Sequence, residues 1–157
     1  MEVAILKRIL CAAFSFLIVV SLLPTHVFAG SCIETNSTVY NEDRGYFVEE
    51  IIVIPSRASH STTGSKVSTY YTETGTAVWK VTVTGSFTYN GTTASCTSSS
   101  CTVTILNSSW YQISKSSGRN GASATASATL GYKMNGVKVN EITRSVKLTC
   151  DKNGTLT

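Results

Sequence analysis

From Trp79 to Tyr89 the chain alternates without a break. Trp79, Val81, Val83, Gly85, Phe87 and Tyr89 are apolar or glycine, and Lys80, Thr82, Thr84, Ser86 and Thr88 are polar. A strand turns successive side chains to opposite faces, so this pattern predicts a strand with one face to bury. Each large side chain on that face is worth about 1.5–3 kcal/mol when fully buried, before the cost of ordering the chain. Such a face needs a second layer to cover it. Gly85, in the middle of the stripe, predicts a bulge or bend. Asn90-Gly91 ends it, because both central residues of a type I′ turn need positive φ. A two-residue turn there sets Phe87 opposite Ala94 and Gly85 opposite Cys96.

The same alternation recurs downstream. Val103 and Ile105 mark a strand, "SSWYQIS" at 108–114 a further one, and "KVSTYYT" at 66–72 another, with a turn at 73–75. Ala122, Ala124, Ala126, Ala128, Leu130, Tyr132 and Met134 place small residues along one face of a long strand, which Asn135-Gly136 turns back. On the return, Val137 and Val139 are odd but Ile142, Val146, Leu148 and Cys150 are even, so the phase slips near Asn140–Glu141, as a β-bulge would make it. Ala126 then lies near Val146 and Ala124 near Leu148. The stretches "SRASHSTTGS" at 56–65 and "SKSSGRNGAS" at 114–123 read as polar loops. Val48 to Ile54, stopped by Pro55, reads as an edge strand or as a segment docked on the body. About seven strands, with turns every ten residues or so and no helix beyond the N-terminal leader, predict an all-β fold. Its expected form is an antiparallel β-sandwich, with an immunoglobulin-like arrangement or a small barrel as variants.

The N-terminus has a different character. Lys7 and Arg8 precede an apolar run from Ile9 to Leu23, and Pro24 and "VFA" at 27–29 follow. Basic start, apolar middle and small-residue exit are the parts of a secretory signal peptide, helical until cleaved. The apolar run is roughly 15 residues, short of the ~20 that span a bilayer, so an uncleaved signal would be the one route to the membrane. Lipidation of Cys32 is a minor alternative, since "AGS" before it lacks the expected Leu. The expected organisation is a signal peptide at 1–29, a flexible acidic leader with an edge strand at 30–56, and a β-sandwich domain at 57–157. The product is expected to be secreted.

Export bears on the cysteines. Cys32, Cys96, Cys101 and Cys150 remain after cleavage, an even number in an oxidising setting, which implies two disulfides in one of three connectivities. Metal binding is a poor rival, because no second close cysteine pair exists and His60 is the only histidine beyond the signal. No cofactor motif is present. Charge is uneven. Residues 30–51 carry Glu34, Glu42, Asp43, Glu49 and Glu50 against Arg44, whereas residues 52–157 carry ten Lys or Arg against Glu73, Glu141 and Asp151. A basic body suits an anionic surface such as a cell wall or phosphate-bearing glycan; scattered lysines that keep a β-domain soluble and its edges unpaired are the favoured explanation. Nucleic acid is not expected, as no basic run is interleaved with aromatics.

Catalytic groups are scarce. His60 sits among serines with no acid marked beside it. Glu49 and Glu50 would point to opposite faces of a strand, and nothing joins Glu73 to Glu141. "DKNG" at 151–154 lacks the later ligands of a calcium loop and reads as a turn. The sequons at Asn36, Asn90, Asn107 and Asn153 are incidental in so Ser/Thr-rich a chain. Aromatic doublets are the remaining resource: Tyr46-Phe47, Tyr70-Tyr71 and Trp110-Tyr111. In a strand one member of each points inward and the other outward, where it can stack on a sugar ring or anchor a peptide. Tyr70, Tyr71, Trp110 and Tyr111 are the candidate ligand contacts.

The run from Gly75 to Ser100, with Trp79, "SFTYNG" and Cys96, and the run from Ser108 to the end, with "SVKLTC" and "NGTLT", resemble a family of small exported proteins of uncharacterised function from Gram-positive, often gut-dwelling, bacteria. The resemblance covers roughly residues 57–157. It implies a β-sandwich and a Cys96–Cys150 disulfide, leaving Cys32 and Cys101 to pair or stay free. It carries no active site. The expected function is non-catalytic binding outside the cell, to wall polymer, glycan or protein. A secreted antagonist of other cells is the alternative, and a hydrolase is less favoured.

Overall fold

A computed structural model describes residues 38–42, 45–54 and 60–157. The signal peptide and Cys32 lie outside the described residues, as does Pro55. The described chain is all-β: β1 (Thr38–Glu42), β2 (Gly45–Ile54), β3 (Ser61–Thr72), β4 (Ala77–Tyr89), β5 (Ala94–Ile105), β6 (Trp110–Asn120), β7 (Ser123–Met134) and β8 (Val137–Thr149). Strands β1 to β5 form one antiparallel sheet and β6 to β8 a second, each in consecutive order. Seven of these strands, β2 to β8, match the expected number in kind; β1 is a short addition beside β2.

The stripe on β4 behaves as the alternation requires. Trp79, Val81, Val83 and Phe87 are fully buried, and Tyr89 is half-buried at the strand's end. They share one core with Ala124, Ala126, Ala128 and Leu130 of β7 and Val146 and Leu148 of β8. The small row does lie beside the bulky one: Ala126 pairs with Val146 and Ala124 with Leu148. Gly85 is no bulge. A Cβ there would come within 2.7 Å of the Phe87 ring and 2.8 Å of the Ala124 Cβ, so glycine allows the ring to fold over the strand and the sheets to meet. The bulge falls on β5 instead, at Thr97, whose hydroxyl donates to Ser86 O at 3.0 Å.

The two Asn-Gly turns differ. Asn135 (φ 52°) and Gly136 (81°) are both left-handed and join Met134 directly to Val137, the expected tight turn. At 90–91 only Gly91 is left-handed (81°). Asn90 Oδ1 instead accepts from the backbone N–H of Thr92 and of Thr93 (3.0 and 2.8 Å), making a four-residue connection. The register follows the longer loop: Tyr89 pairs with Ala94 and Phe87 with Cys96, two residues from the expected alignment. The phase slip on β8 is present one position early, with Val139 left unpaired between Lys138 and Asn140.

Three expectations are corrected. The segment expected as a flexible leader with an edge strand carries two strands, Thr38–Glu42 and Gly45–Ile54; β2 lies inside the sheet between β1 and β3, and its Phe47 and Ile51 enter the core. The supposed loop at 56–65 is strand from Ser61, where Thr63 donates to Ser86 (3.1 Å) and Ser65 bonds Thr84 (2.7 Å). The supposed loop at 114–123 is strand through Asn120. In the last two segments hydroxyl side chains satisfy a strand as readily as a loop once a neighbour offers a partner.

The sheets are joined along both sides. On one side Ser117 Oγ and Arg119 of β6 donate to the carbonyls of Ser99 and Thr97 on β5. On the other, Arg144 of β8 reaches across to Glu49 and Ser68. The C-terminus closes one end, with Leu156 bridging to Cys150 and filling the space above Gly64.

Candidate functional site

The opposite end of the molecule opens between the sheets. Two bulges shape it. Val78 is skipped in the β3–β4 ladder, where Tyr70 pairs with Trp79 but Tyr71 with Ala77. Val139 is skipped in the β7–β8 ladder beside the Tyr132–Asn140 pair. The Val78 carbonyl accepts from both Leu106 N (2.8 Å) and Asn107 N (3.1 Å), which pins the loop between β5 and β6 across the end. Lys133 N donates to Ser109 O (2.8 Å), tying that loop to the second sheet.

The result is a cleft of about 320 Å³. Tyr70, Trp110 and Tyr132 supply its aromatic lining, and Thr72, Asn107, Ser109 and Asn140 its polar lining, with Val78 between. Trp110 is the hub. Its ring lies 5.6 Å from Tyr70, edge-on, and 5.4 Å from Tyr132, tilted. Beneath these, Trp79 stacks on Tyr70 (5.3 Å) and meets Phe47 edge-on (5.2 Å). Such packing holds Trp110 and Tyr132 half-buried on a rigid base. The Trp79 Nε1–H is buried with no hydrogen-bond partner among the described residues.

The two asparagines are held by their own side chains. Asn107 Oδ1 accepts from Ser109 N (2.9 Å), and Asn140 Oδ1 accepts from Glu141 N (2.9 Å). With each carbonyl end engaged, the amide NH₂ is the end left to donate to a guest. A flat aromatic wall beside fixed amides and hydroxyls suits a ring that is apolar on its face and polar at its rim.

Of the four aromatic candidates, Tyr70 and Trp110 converge here. Tyr71 stacks on Tyr46 (5.3 Å, 10°) on the outer face of the larger sheet. Tyr111 covers Gly131 on the outer face of the smaller sheet, with Lys133 Nζ 4.4 Å from its ring centre. The sequence marks none of Tyr132, Asn107 and Asn140 as a ligand contact. Tyr132 continues the inward row of β7, the one signal that pointed to it.

The cysteines stand at the other end. Cys96 and Cys150 are buried, Cys101 is half-buried, and no S–S bond joins them. Cys96 N donates to Gly121 O (2.8 Å) and Cys150 N to Ala122 O (2.9 Å), so one turn holds both backbones. Burial raises all three thiols above their usual 9.0; Asp151 and then Cys96 add to the rise at Cys150. His60, at φ 63°, packs edge-on against Tyr89 and accepts Tyr89 N on its carbonyl. Glu141 pairs with Lys138, and Glu49 with Lys66 and Arg144. Asp151 Oδ1 accepts from Asn153 N and Thr155 N, both at 2.8 Å, and so closes a turn. Among the described residues no three His, Cys, Asp or Glu are grouped to hold a metal ion.

Compared with family models, curated proteins and solved structures, the chain matches none.

Proposed function

We propose that this chain is an exported, non-catalytic binding domain, built as a β-sandwich, that takes a sugar ring of a glycan or wall polymer in the cleft at Trp110. The observation that carries the reading is the meeting of Tyr70, Trp110 and Tyr132 with Asn107 and Asn140 in one cleft. Aromatic faces bind the C–H face of a sugar, and amides bonded at their carbonyl end present donors to its hydroxyls. Secretion follows from the Lys7–Ala29 leader, and a Cys96–Cys150 bond fits the oxidising setting that secretion implies.

The experiment is a panel of glycans and wall-polymer fragments titrated against the mature chain, read by tryptophan fluorescence and calorimetry. A hit that Trp110→Ala weakens about tenfold or more, with Asn140→Ala weaker by a smaller factor, supports the cleft. Absence of any hit, or a hit that Trp110→Ala leaves unchanged, overturns it.

A second reading has its own observation. Ile105, Leu106, Met134, Val137 and Val139 are exposed around the same end of the molecule. A secreted antagonist acting on other cells would use such tips on a membrane or a target protein. Growth inhibition of related bacteria by the mature protein tests it.

A further inference from the structure

The second sheet carries most of the positive charge. Residues 110–157 hold Lys115, Arg119, Lys133, Lys138, Arg144, Lys147 and Lys152 against Glu141 and Asp151. The described part of the first sheet holds Lys66 and Lys80 against Glu42, Glu49, Glu50 and Glu73. Of the cations in 110–157, Arg144 turns inward to Glu49 and Arg119 to the Thr97 carbonyl of β5, so the outer face of the second sheet draws its charge from Lys133, Lys138 and Lys147.

The outer face of that side has an unusual lining. Because the alanine row of β7 is buried, Thr125, Ser127 and Thr129 face outward. Their partners are Gly118, Ser116 and Ser114 on β6, and Lys147, Ser145 and Thr143 on β8. A trough of about 350 Å³ runs between Ser116, Gly118, Thr125, Ser127, Ser145 and Lys147. Gly118 keeps its floor low; a Cβ there would stand 3.2 Å from Thr125 Oγ1. Some hydroxyls are already ordered, with Ser145 Oγ donating to Ser127 Oγ (3.0 Å) and Thr129 bonded to Thr143 (2.8 Å). Lys133 extends the positive charge along the same face beyond the trough, while Lys138 beside it is paired with Glu141.

We infer that this trough is a second binding site, separate from the cleft, for a polyol-phosphate polymer. Lysine supplies the attraction to the phosphodiester, and serine and threonine exchange hydrogen bonds with the polyol hydroxyls. Single-stranded nucleic acid fits less well, because base binding needs aromatic platforms and the trough has none.

The test uses synthetic poly(glycerol phosphate) and the mature full-length chain at about 50 and 200 mM salt. Binding is expected at the lower salt and to weaken steeply at the higher. Lys147→Gln is expected to weaken it several-fold and to lower the salt slope by about one. Gly118→Val, which fills the trough on an ordinary β backbone without changing charge, is expected to weaken it by about tenfold at an unchanged slope. Trp110→Ala is expected to leave it unaltered, and thermal melts confirm that each variant folds. No binding at low salt overturns the inference. So does full retention of binding in Lys147→Gln and Gly118→Val, a loss in Trp110→Ala, or equal affinity for a single-stranded oligonucleotide of the same charge.

Discussion

Arg144 of β8 donates from Nη2 to Glu49 Oε1 of β2 at 2.7 Å, across the open side between the two sheets. Its Nε donates to Ser68 Oγ (3.0 Å), and its guanidinium lies 4.5 Å from the centre of the Phe47 ring. Lys66 Nζ completes the cluster, 3.3 Å from Glu49 Oε2. Glu49 occupies an inward position on β2, between Phe47 and Ile51, where an apolar residue would ordinarily sit. The carboxylate is tolerated because two cations pair with it, one of them held in place by Ser68.

Removing one partner should therefore harm more than removing the set. Arg144→Met is expected to cost about 3–5 kcal/mol in urea unfolding, since Glu49 stays buried with less compensation. The triple variant Glu49→Leu, Lys66→Met, Arg144→Met is expected to recover most of that loss. A triple variant no more stable than Arg144→Met would show that the cluster contributes through packing on Phe47 alone.

Gly85 and Ala124 set the spacing of the sheets. Gly85→Ala is expected to destabilise by about 1–3 kcal/mol, because its methyl meets both the Phe87 ring and the Ala124 Cβ below 3.0 Å. Ala124→Gly alone opens a small void. Combined, the two should cost less than their sum, a coupling that a double-mutant cycle in urea reads directly.

Much of this frame is legible in the residues. Trp79 to Tyr89 reads as a strand because burial falls on one face only, and the alanine row of β7 reads as the surface that lets the sheets close. Ser114–Asn120 does not read as a strand because β6 buries almost nothing: its Ser117 and Arg119 meet β5 through hydrogen bonds to carbonyls. Half of the cleft is legible. Tyr70 and Trp110 stand out as doublets, but their neighbours Tyr71 and Tyr111 go to opposite outer faces. Tyr132, Asn107 and Asn140 join the cleft through contacts between sheets; alternation marks the slip near Val139, but it encodes neither the bulge at Val78 nor the loop that Val78 pins across the end.

Asp151 makes the C-terminal turn sensitive to acid. Backbone N–H groups, that of Thr155 first, hold its carboxyl below the usual 3.8. A lowered folded value means that its contribution is complete above about pH 4 and is lost as pH falls through the lowered value. Asp151→Asn should lower stability near neutrality, and the deficit should shrink as pH falls below about 4, where the native carboxylate loses its contribution. Urea midpoints from pH 2 to 7 check this; parallel curves for the two proteins would rule it out.

The thiols respond at the alkaline end, and only when reduced. Burial, the largest cause, raises Cys96, Cys101 and Cys150 above the usual 9.0. With folded values above unfolded ones, the reduced protein keeps their full contribution below about pH 9 and loses it as pH rises through the raised values. A Cys96–Cys150 bond removes two of the three described thiols and closes a long loop, worth about 4 kcal/mol by chain entropy. The oxidised protein should therefore melt higher at neutral pH and keep most of that stability at pH 10, where the reduced form weakens. Cys96→Ser should abolish the difference between reduced and oxidised samples, and Cys101→Ser should preserve it. Non-reducing peptide mapping that finds Cys101 joined to Cys96 or Cys150 would overturn the pairing.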